Sequence, residues 1–248
     1  MASSASPSSY WRTSRAPRYS LLFALPLLLL YEVLAFTLSG DAIAGVRNGA
    51  DVLLKSLFVG FGGRDGLIAF GVLLLGTGAW LVWRDLRRGG TLEPGVFALM
   101  TLESVAYALG FGLVVGTLTG ILLGGFVPGA PLLLQVSELA FATRLMISLG
   151  AGIYEELLFR VLLVGALAWT GRRVFGWRSG GAGAFATVAG ALIFSAFHYV
   201  GPYGDPLELP SFTFRTLAGL VFSAMYLTRG FGITAWSHAL YDVFLMLG

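Results

Sequence analysis

The stretch GIYEELLFRVLL, residues 152–163, places three charged side chains in an otherwise apolar run. An ionised side chain at mid-membrane costs about 2.5–3.5 kcal/mol on insertion scales, so such a group is expected to have a purpose. Glu156 and Arg160 are four residues apart and share a helical face, which predicts a buried ion pair. Glu155 lies about 100° round the helix from Glu156 and is left free. We therefore expect Glu155 to serve as a general base or a metal ligand.

Both histidines of the chain lie in apolar segments C-terminal to this glutamate pair. His198 follows Phe194 by one helical turn in FSAFHYV, and His238 precedes Asp242 by one turn in SHALYDVF. An aspartate at that spacing fixes an imidazole tautomer or supplies a further oxygen donor. A single intramembrane histidine, or a single Glu/Arg pair, is equally compatible with a structural role. Together, however, these groups on three helices can converge around one water, which favours a functional site.

The elements that must position these residues are membrane helices. Of the 248 residues, 56% are hydrophobic and 12% charged, and the mean hydropathy is +0.81, a composition that excludes an ordinary soluble domain. Crossing the hydrocarbon takes a helix of about 20 mostly apolar residues. We therefore predict an all-α, polytopic transmembrane bundle of about seven helices. The predicted segments are 19–38, 66–83, 96–124, 139–170, 182–200, 211–228 and 231–247.

The basic residues indicate the topology of the bundle. They cluster at segment ends, as the positive-inside rule requires, and form no basic face of the kind that binds nucleic acid. We expect an integral protein of a bacterial inner or plasma membrane with a cytoplasmic N-terminus. The predicted divisions are a disordered cytoplasmic arm (1–18), N-terminal transmembrane helices (19–138) and a catalytic core (139–248). Segment 51–61 is expected either to lie in the interface or to dip into the membrane.

Other charges in the apolar segments are expected to be structural. A place in the site or in a proton path is one interpretation of Glu32 and Glu103, but each lies alone on a segment, which favours a structural partner or an interfacial position. Arg144 and Arg215 lie near segment ends, where a long basic side chain reaches the interface. The chain has no cysteine, which excludes disulfides, thiol nucleophiles and cysteine-ligated metals.

The three motifs, in this order, resemble the CPBP family of intramembrane endopeptidases, which includes the CAAX prenyl endopeptidases of the Rce1 type. EExxxR stands at 155–160, FxxxH at 194–198 and HxxxD at 238–242. The resemblance covers about residues 139–248 and implies hydrolysis of peptide bonds within the membrane. It implies that Glu155 and His198 activate a water, that His238 and Asp242 serve the substrate carbonyl or oxyanion, and that Glu156, Arg160 and Phe194 give structural support.

One departure from the family pattern affects these implied roles. The third motif ends in Asp242, where asparagine is the alternative, and an ionised aspartate cannot donate a hydrogen bond. An oxyanion role therefore requires a protonated Asp242 or passes to His238. No cofactor is expected, although two histidines and a carboxylate suffice for zinc or another divalent metal, so this alternative stays open.

The expected partners are the lipid bilayer and a membrane-associated protein or peptide substrate, with no nucleic acid. Two alternative functions use the same residues. The first is a non-catalytic membrane scaffold or an immunity-like subunit of a larger complex. The second is a small proton-coupled transporter, in which buried Glu and His form a relay, although the sequence has no internal repeat of the kind that such proteins carry.

Overall fold

The computed structural model describes residues 7–39, 45–125, 139–201 and 204–247, and these are helices joined by short turns and loops, without a strand. The elements, in chain order, are α1 (Pro7–Thr13), α2 (Pro17–Ser39), α3 (Gly49–Arg87), α4 (Pro94–Leu123), α5 (Phe141–Gly150), a π-helix (Ala151–Val164), α6 (Gly165–Arg173), α7 (Ser179–Phe197), α8 (Leu209–Arg229) and α9 (Phe231–Leu247). The all-α fold class predicted from the sequence is therefore confirmed.

The long helices follow the predicted apolar segments. Because α5, the π-helix and α6 continue without a break, the described residues contain seven long helical rods, one for each predicted segment. Within this part of the chain, α2, α3, α4 and α7 are long and apolar enough to cross a membrane by length and composition, whereas α9 is apolar but shorter, at 17 residues. Helix α8 contains Arg215 and Arg229 and falls below that hydropathy.

Helix α3 is kinked at Gly63, which has a φ of 55° in the left-handed region that only glycine adopts easily. The kink separates residues 49–62 from residues 64–87. The predicted segment 51–61 is therefore a helix of its own before the kink, and Asp51 and Lys55 are buried there in the bundle. This first part of α3 begins at Asn48, beside the π-helix.

Residues 7–18 of the arm that we predicted to be disordered form a helix and a turn in the structure, while residues 1–6 lie outside the described part. The guanidinium of Arg229 holds this segment in place. It is buried, pairs with Glu103 and stacks over Trp11 at 4.1 Å. Tyr10 donates a hydrogen bond of 2.6 Å to the same Glu103 carboxylate. Glu103 thus has the structural partner that its isolated position in the sequence predicts.

Helix α9 lies at the centre of the bundle, where it packs against α2, α4, α5, the π-helix and α8. The π-helix approaches it most closely at Gly152. A Cβ on Gly152 would overlap the carbonyl oxygen of Ala235 and lie 2.6 Å from the Cβ of Ala239. This close approach brings the glutamate pair of the π-helix opposite His238 of α9.

We expect Gly152→Ala to destabilise the protein by about 1–3 kcal/mol, because overpacking forces the two helix backbones apart. Gly165→Ala is the matched control in the same rod, since its Cβ would meet no atom within 4 Å. Thermal unfolding in detergent should show a lower Tm for Gly152→Ala and an unchanged or slightly higher Tm for Gly165→Ala. Equal melting temperatures would show that the contact with α9 does not limit stability.

Candidate active site

The charged residues of the first motif lie on a π-helix of 14 residues, Ala151–Val164. Extended π-helical winding is rare, and π-helical turns occur frequently at functional sites. Glu155, Glu156 and Arg160 are all buried inside the bundle. The two adjacent carboxylates point to different neighbours, Glu155 to the start of α3 and the end of α7, and Glu156 to α9.

Glu155 has one bonded and one unbonded carboxylate oxygen. Its Oε1 accepts a hydrogen bond of 2.8 Å from Nδ2 of Asn48. Its Oε2 is buried without a hydrogen-bond partner among the described residues and lies 3.9 Å from Nε2 of His198. That separation is too long for a direct hydrogen bond and suits two groups bridged by one water. The sequence predicts a free Glu155, whereas in the structure only one of its oxygens is free.

His198 presents its unprotonated ring nitrogen to Glu155. Its Nδ1 lies 2.9 Å from the carbonyl oxygen of Phe194, and because a carbonyl only accepts, Nδ1 carries the proton. The neutral ring therefore has its lone pair on Nε2, on the side of Glu155. The side chain of His198 is 24% exposed, whereas Glu155 is buried. The pair thus lies where the buried cluster meets the surface of the bundle.

His238 is held by Glu156 instead of by Asp242. Its Nδ1 lies 2.7 Å from Oε1 of Glu156, and its ring stacks on Phe222 with centroids 4.2 Å apart. Asp242 lies on the other side, with Oδ2 3.9 Å from Nε2, beyond hydrogen-bond distance. The one-turn spacing therefore brings His238 and Asp242 close, but the direct bond of the imidazole comes from another helix.

Arg160 is the cation of the cluster and lies next to Glu156, four residues further along the π-helix. Its guanidinium lies 3.1 Å from Oε1 of Glu156. Its two terminal nitrogens have no hydrogen-bond partner among the described residues, so this contact is an ion pair without hydrogen-bond geometry. The guanidinium also stacks over the rings of Phe194, at 4.3 Å, and Phe222, at 5.4 Å. Phe194 in turn contacts the His198 ring edge-on at 4.9 Å, so it joins the first motif to the second.

The four predicted catalytic residues therefore meet in one place. Glu155 interacts electrostatically with both histidines, and Asp242 interacts electrostatically with His238 and Glu155. Sequence reasoning missed Asn48, although an Asn followed three residues later by Asp51 is a recognisable helix-start pattern. That pattern indicates the cap of α3 but not the contact with Glu155.

The position of Arg215 near a segment end predicts that its side chain reaches the interface, but in the structure this side chain is buried. It is 3% exposed, pairs with Asp205, and stacks over Tyr199 at 5.2 Å. The reason is that Asp205, in the segment before α8, lies close to the end of α7. The backbone amide of Asp205 donates a 3.0 Å hydrogen bond to the carbonyl oxygen of His198. The carboxylate of Asp205, which is 22% exposed, compensates the guanidinium, so the arginine stays inside, near His198 and Asp242.

A second charge cluster lies next to the site, on α2, at the start of α3 and just before it; Asp51 and Lys55 are buried there, whereas Glu32 is 37% exposed. Lys55 lies 2.9 Å from Glu32 and 2.7 Å from Asp51, and Arg47 lies 2.9 Å from Asp51. The hydroxyl of Tyr154 donates to Glu32, which is therefore paired, as its structural interpretation requires. Since Tyr154 precedes Glu155 on the π-helix, this cluster lies directly behind the site.

A metal site does not follow from this arrangement. Within the described ranges, no group of three or more His, Asp or Glu side chains is arranged to hold an ion. Asn48 is hydrogen-bonded to Oε1 of Glu155. The two atoms that face each other and could bind a metal are therefore Oε2 of Glu155 and Nε2 of His198. A catalytic zinc site usually has three protein ligands, so the residues as placed do not fit one.

Comparison with protein families gives a match over part of the chain. Residues 137–244, which contain all three motifs, match a family described as type II CAAX prenyl endopeptidase, Rce1-like. No curated protein and no solved structure matches the chain. The match confirms the family that the motifs resemble, and together with the apolar helices it makes the chain an integral membrane protein.

Proposed function

We propose that this chain, whose residues 137–244 belong to the Rce1-like family of type II CAAX prenyl endopeptidases, hydrolyses peptide bonds of membrane-associated protein or peptide substrates. In this proposal, Glu155 and His198 activate the attacking water. The observation that carries it is the pair of unbonded acceptors, Glu155 Oε2 and His198 Nε2, which face each other 3.9 Å apart.

Two acceptors at that distance orient a water for attack. Such a water donates one hydrogen to Oε2 and one to Nε2, and its lone pairs then point away from both. When the water oxygen bonds to the substrate carbonyl carbon, one proton passes to Glu155 or His198. The same group then returns the proton to the amide nitrogen as the C–N bond breaks, which leaves a new carboxyl and a new amine. A positioned general base of this kind contributes about 10²–10⁴-fold to the rate.

In this proposal, His238 stabilises the negative charge that develops on the substrate oxygen. Nδ1 of His238 is bonded to Glu156, so its other nitrogen, Nε2, is the one available to the substrate. Carboxylates flank both nitrogens, Glu156 at 2.7 Å and Asp242 at 3.9 Å, and they stabilise a positively charged ring. A charged ring carries a proton on Nε2 and can donate a hydrogen bond to the oxyanion, while Asp242, which cannot donate when ionised, balances the charge.

Water must reach this cluster from outside the bilayer, and the membrane-associated substrate must reach it as well. His198 and Asp242 are partly exposed, with side chains 24% and 23% accessible, whereas Glu155 and Glu156 are buried. We propose that the site opens on the side of His198 and Asp242, because hydrolysis inside a membrane needs a cavity that water can enter. The distribution of arginines supports a cytoplasmic N-terminus. The membrane that we propose is a bacterial inner or plasma membrane.

The test is His198→Ala in proteoliposomes that contain host membrane proteins, with new peptide termini counted by mass spectrometry. Loss of the imidazole should reduce the wild-type cleavage rate about 10²–10⁴-fold. Tyr199→Phe is the matched control at the next position, since it removes a hydroxyl bonded to Ser211 at 2.6 Å. Unchanged cleavage by His198→Ala would favour the non-catalytic scaffold.

A further inference from the structure

We infer, on the basis of the proposed function, that Asn48 is the residue that positions Glu155 for reaction. Asn48 lies on the N-terminal side of residues 137–244, outside the part of the chain that matches the family. It is 3% exposed, and its amide donates the only described hydrogen bond to the Glu155 carboxylate. The N-terminal helices would then supply a part of the site itself.

The orientation of the Asn48 amide is fixed by its own helix. Asn48 is the N-cap of α3, with an extended ψ of 134°, and its Oδ1 accepts a 3.0 Å hydrogen bond from the backbone amide of Ala50. A cap needs the oxygen on that side, so the NH₂ group must point the other way. It points to Glu155, at 2.8 Å. One side chain thus begins a helix and holds a carboxylate of another helix.

The hydrogen bond from Asn48 leaves one oxygen of Glu155 for the water. With Oε1 bonded, rotation of the carboxyl is restricted and Oε2 faces His198. The donor is neutral, so the carboxylate keeps its charge and its capacity to accept a proton. The nearby cations Arg47 and Lys55 are bonded to Asp51 and Glu32, and they do not pair with Glu155.

The surrounding residues hold Asn48 at that distance. Tyr31 donates a 2.7 Å hydrogen bond to Asp51, one turn after the cap, and this bond ties the start of α3 to α2. At the end of α5, a Cβ on Gly150 would lie 2.6 Å from both the Cβ of Asn48 and the ring of Tyr31. Only a glycine lets α5 approach the cap this closely. The absence of a side chain at Gly150 therefore lets Asn48 lie next to the π-helix that carries Glu155.

Asn48→Ser and Asn48→Asp separate the positioning role from the cap role. Both residues cap helices about as well as asparagine. The serine side chain is too short to reach Glu155, and the aspartate replaces the donor with a second carboxylate. With a peptide that the wild type cleaves, we expect Asn48→Ser to lose about 10–100-fold in kcat, with KM nearly unchanged and a smaller fall in Tm than Asn48→Ala. Asn48→Asp should lose at least as much in kcat and should also lower Tm, because it places two buried carboxylates side by side. Asn48→Ala, which loses the cap as well, should also lower Tm.

The outcomes are distinguished by measuring Glu155→Gln alongside. Wild-type kcat in Asn48→Ser, with Glu155→Gln inactive, overturns the positioning role alone. Full activity of Glu155→Gln overturns the proposed function, and the positioning role with it. A fall of kcat that follows the fall of Tm across Asn48→Ser and Asn48→Ala identifies a purely structural cap and also overturns the inference. If Asn48→Ser does not fold, Asn48→Gly, which caps helices almost as well and also lacks the donor, carries the same comparison.

Discussion

Glu155→Gln should reduce peptide-bond cleavage by about 10²–10⁴-fold, the contribution of a positioned general base. Glutamine has the same shape, and its oxygen can still accept the 2.8 Å hydrogen bond from Asn48. Its amide nitrogen, however, replaces Oε2 opposite His198 and cannot accept a proton. Cleavage is measured as release of a labelled fragment from proteoliposomes, and folding as the Tm of the same preparation in detergent.

The control for this exchange is Glu93→Gln, which makes the same chemical change outside the site. Glu93 is exposed at the start of α4, and its side chain makes no cap hydrogen bond. The Glu93→Gln variant should cleave at the wild-type rate. Cleavage by Glu155→Gln at a rate close to that of Glu93→Gln would rule out the general-base role. A loss of rate accompanied by a large fall in Tm would instead indicate that Glu155 is needed for folding.

The sequence predicts contacts within one helix better than contacts between helices. Glu156 and Arg160, four residues apart, do lie at ion-pair distance. The same kind of spacing brings His238 only to 3.9 Å from Asp242, because its ring turns to Glu156, 82 residues away. Likewise, the bond between Asn48 and Glu155 joins residues 107 positions apart. Such partners depend on how the helices pack, which residue spacing does not specify.

Burial of charge is another property that spacing alone does not determine. Arg215 lies near a segment end, which indicates access to the interface. Its guanidinium is nevertheless buried, because it forms an ion pair with Asp205 in the segment before α8. The apolar runs, by contrast, determine the helical rods directly, because each must satisfy its backbone hydrogen bonds internally in lipid. The fold class was therefore accessible from composition, and the pairing of individual charges was not.

The largest loss of stability is expected from breaking the buried pair that supports His238. Glu156→Ala leaves the Arg160 guanidinium, which is 2% exposed, without its counter-ion, and Arg160→Ala leaves the buried Glu156 carboxylate with its His238 contact but without the guanidinium. Removing one partner of a buried ion pair typically costs about 3–5 kcal/mol. Tm in detergent, and the free energy of unfolding in bicelles, should both fall. Arg84→Ala, an exposed arginine over Trp80, is the control and should change little.

The double replacement Glu156→Leu with Arg160→Leu distinguishes an uncompensated charge from simple loss of packing. If each single change is costly because it leaves a buried charge, removing both charges should cost less than the sum of the two single leucine variants. A coupling of about 0.5–3 kcal/mol is expected for groups in contact. Strict additivity would mean that packing of Arg160 against Phe194 and Phe222 is the main term. Even a stable double variant should cleave slowly, because His238 loses the carboxylate that orients its ring.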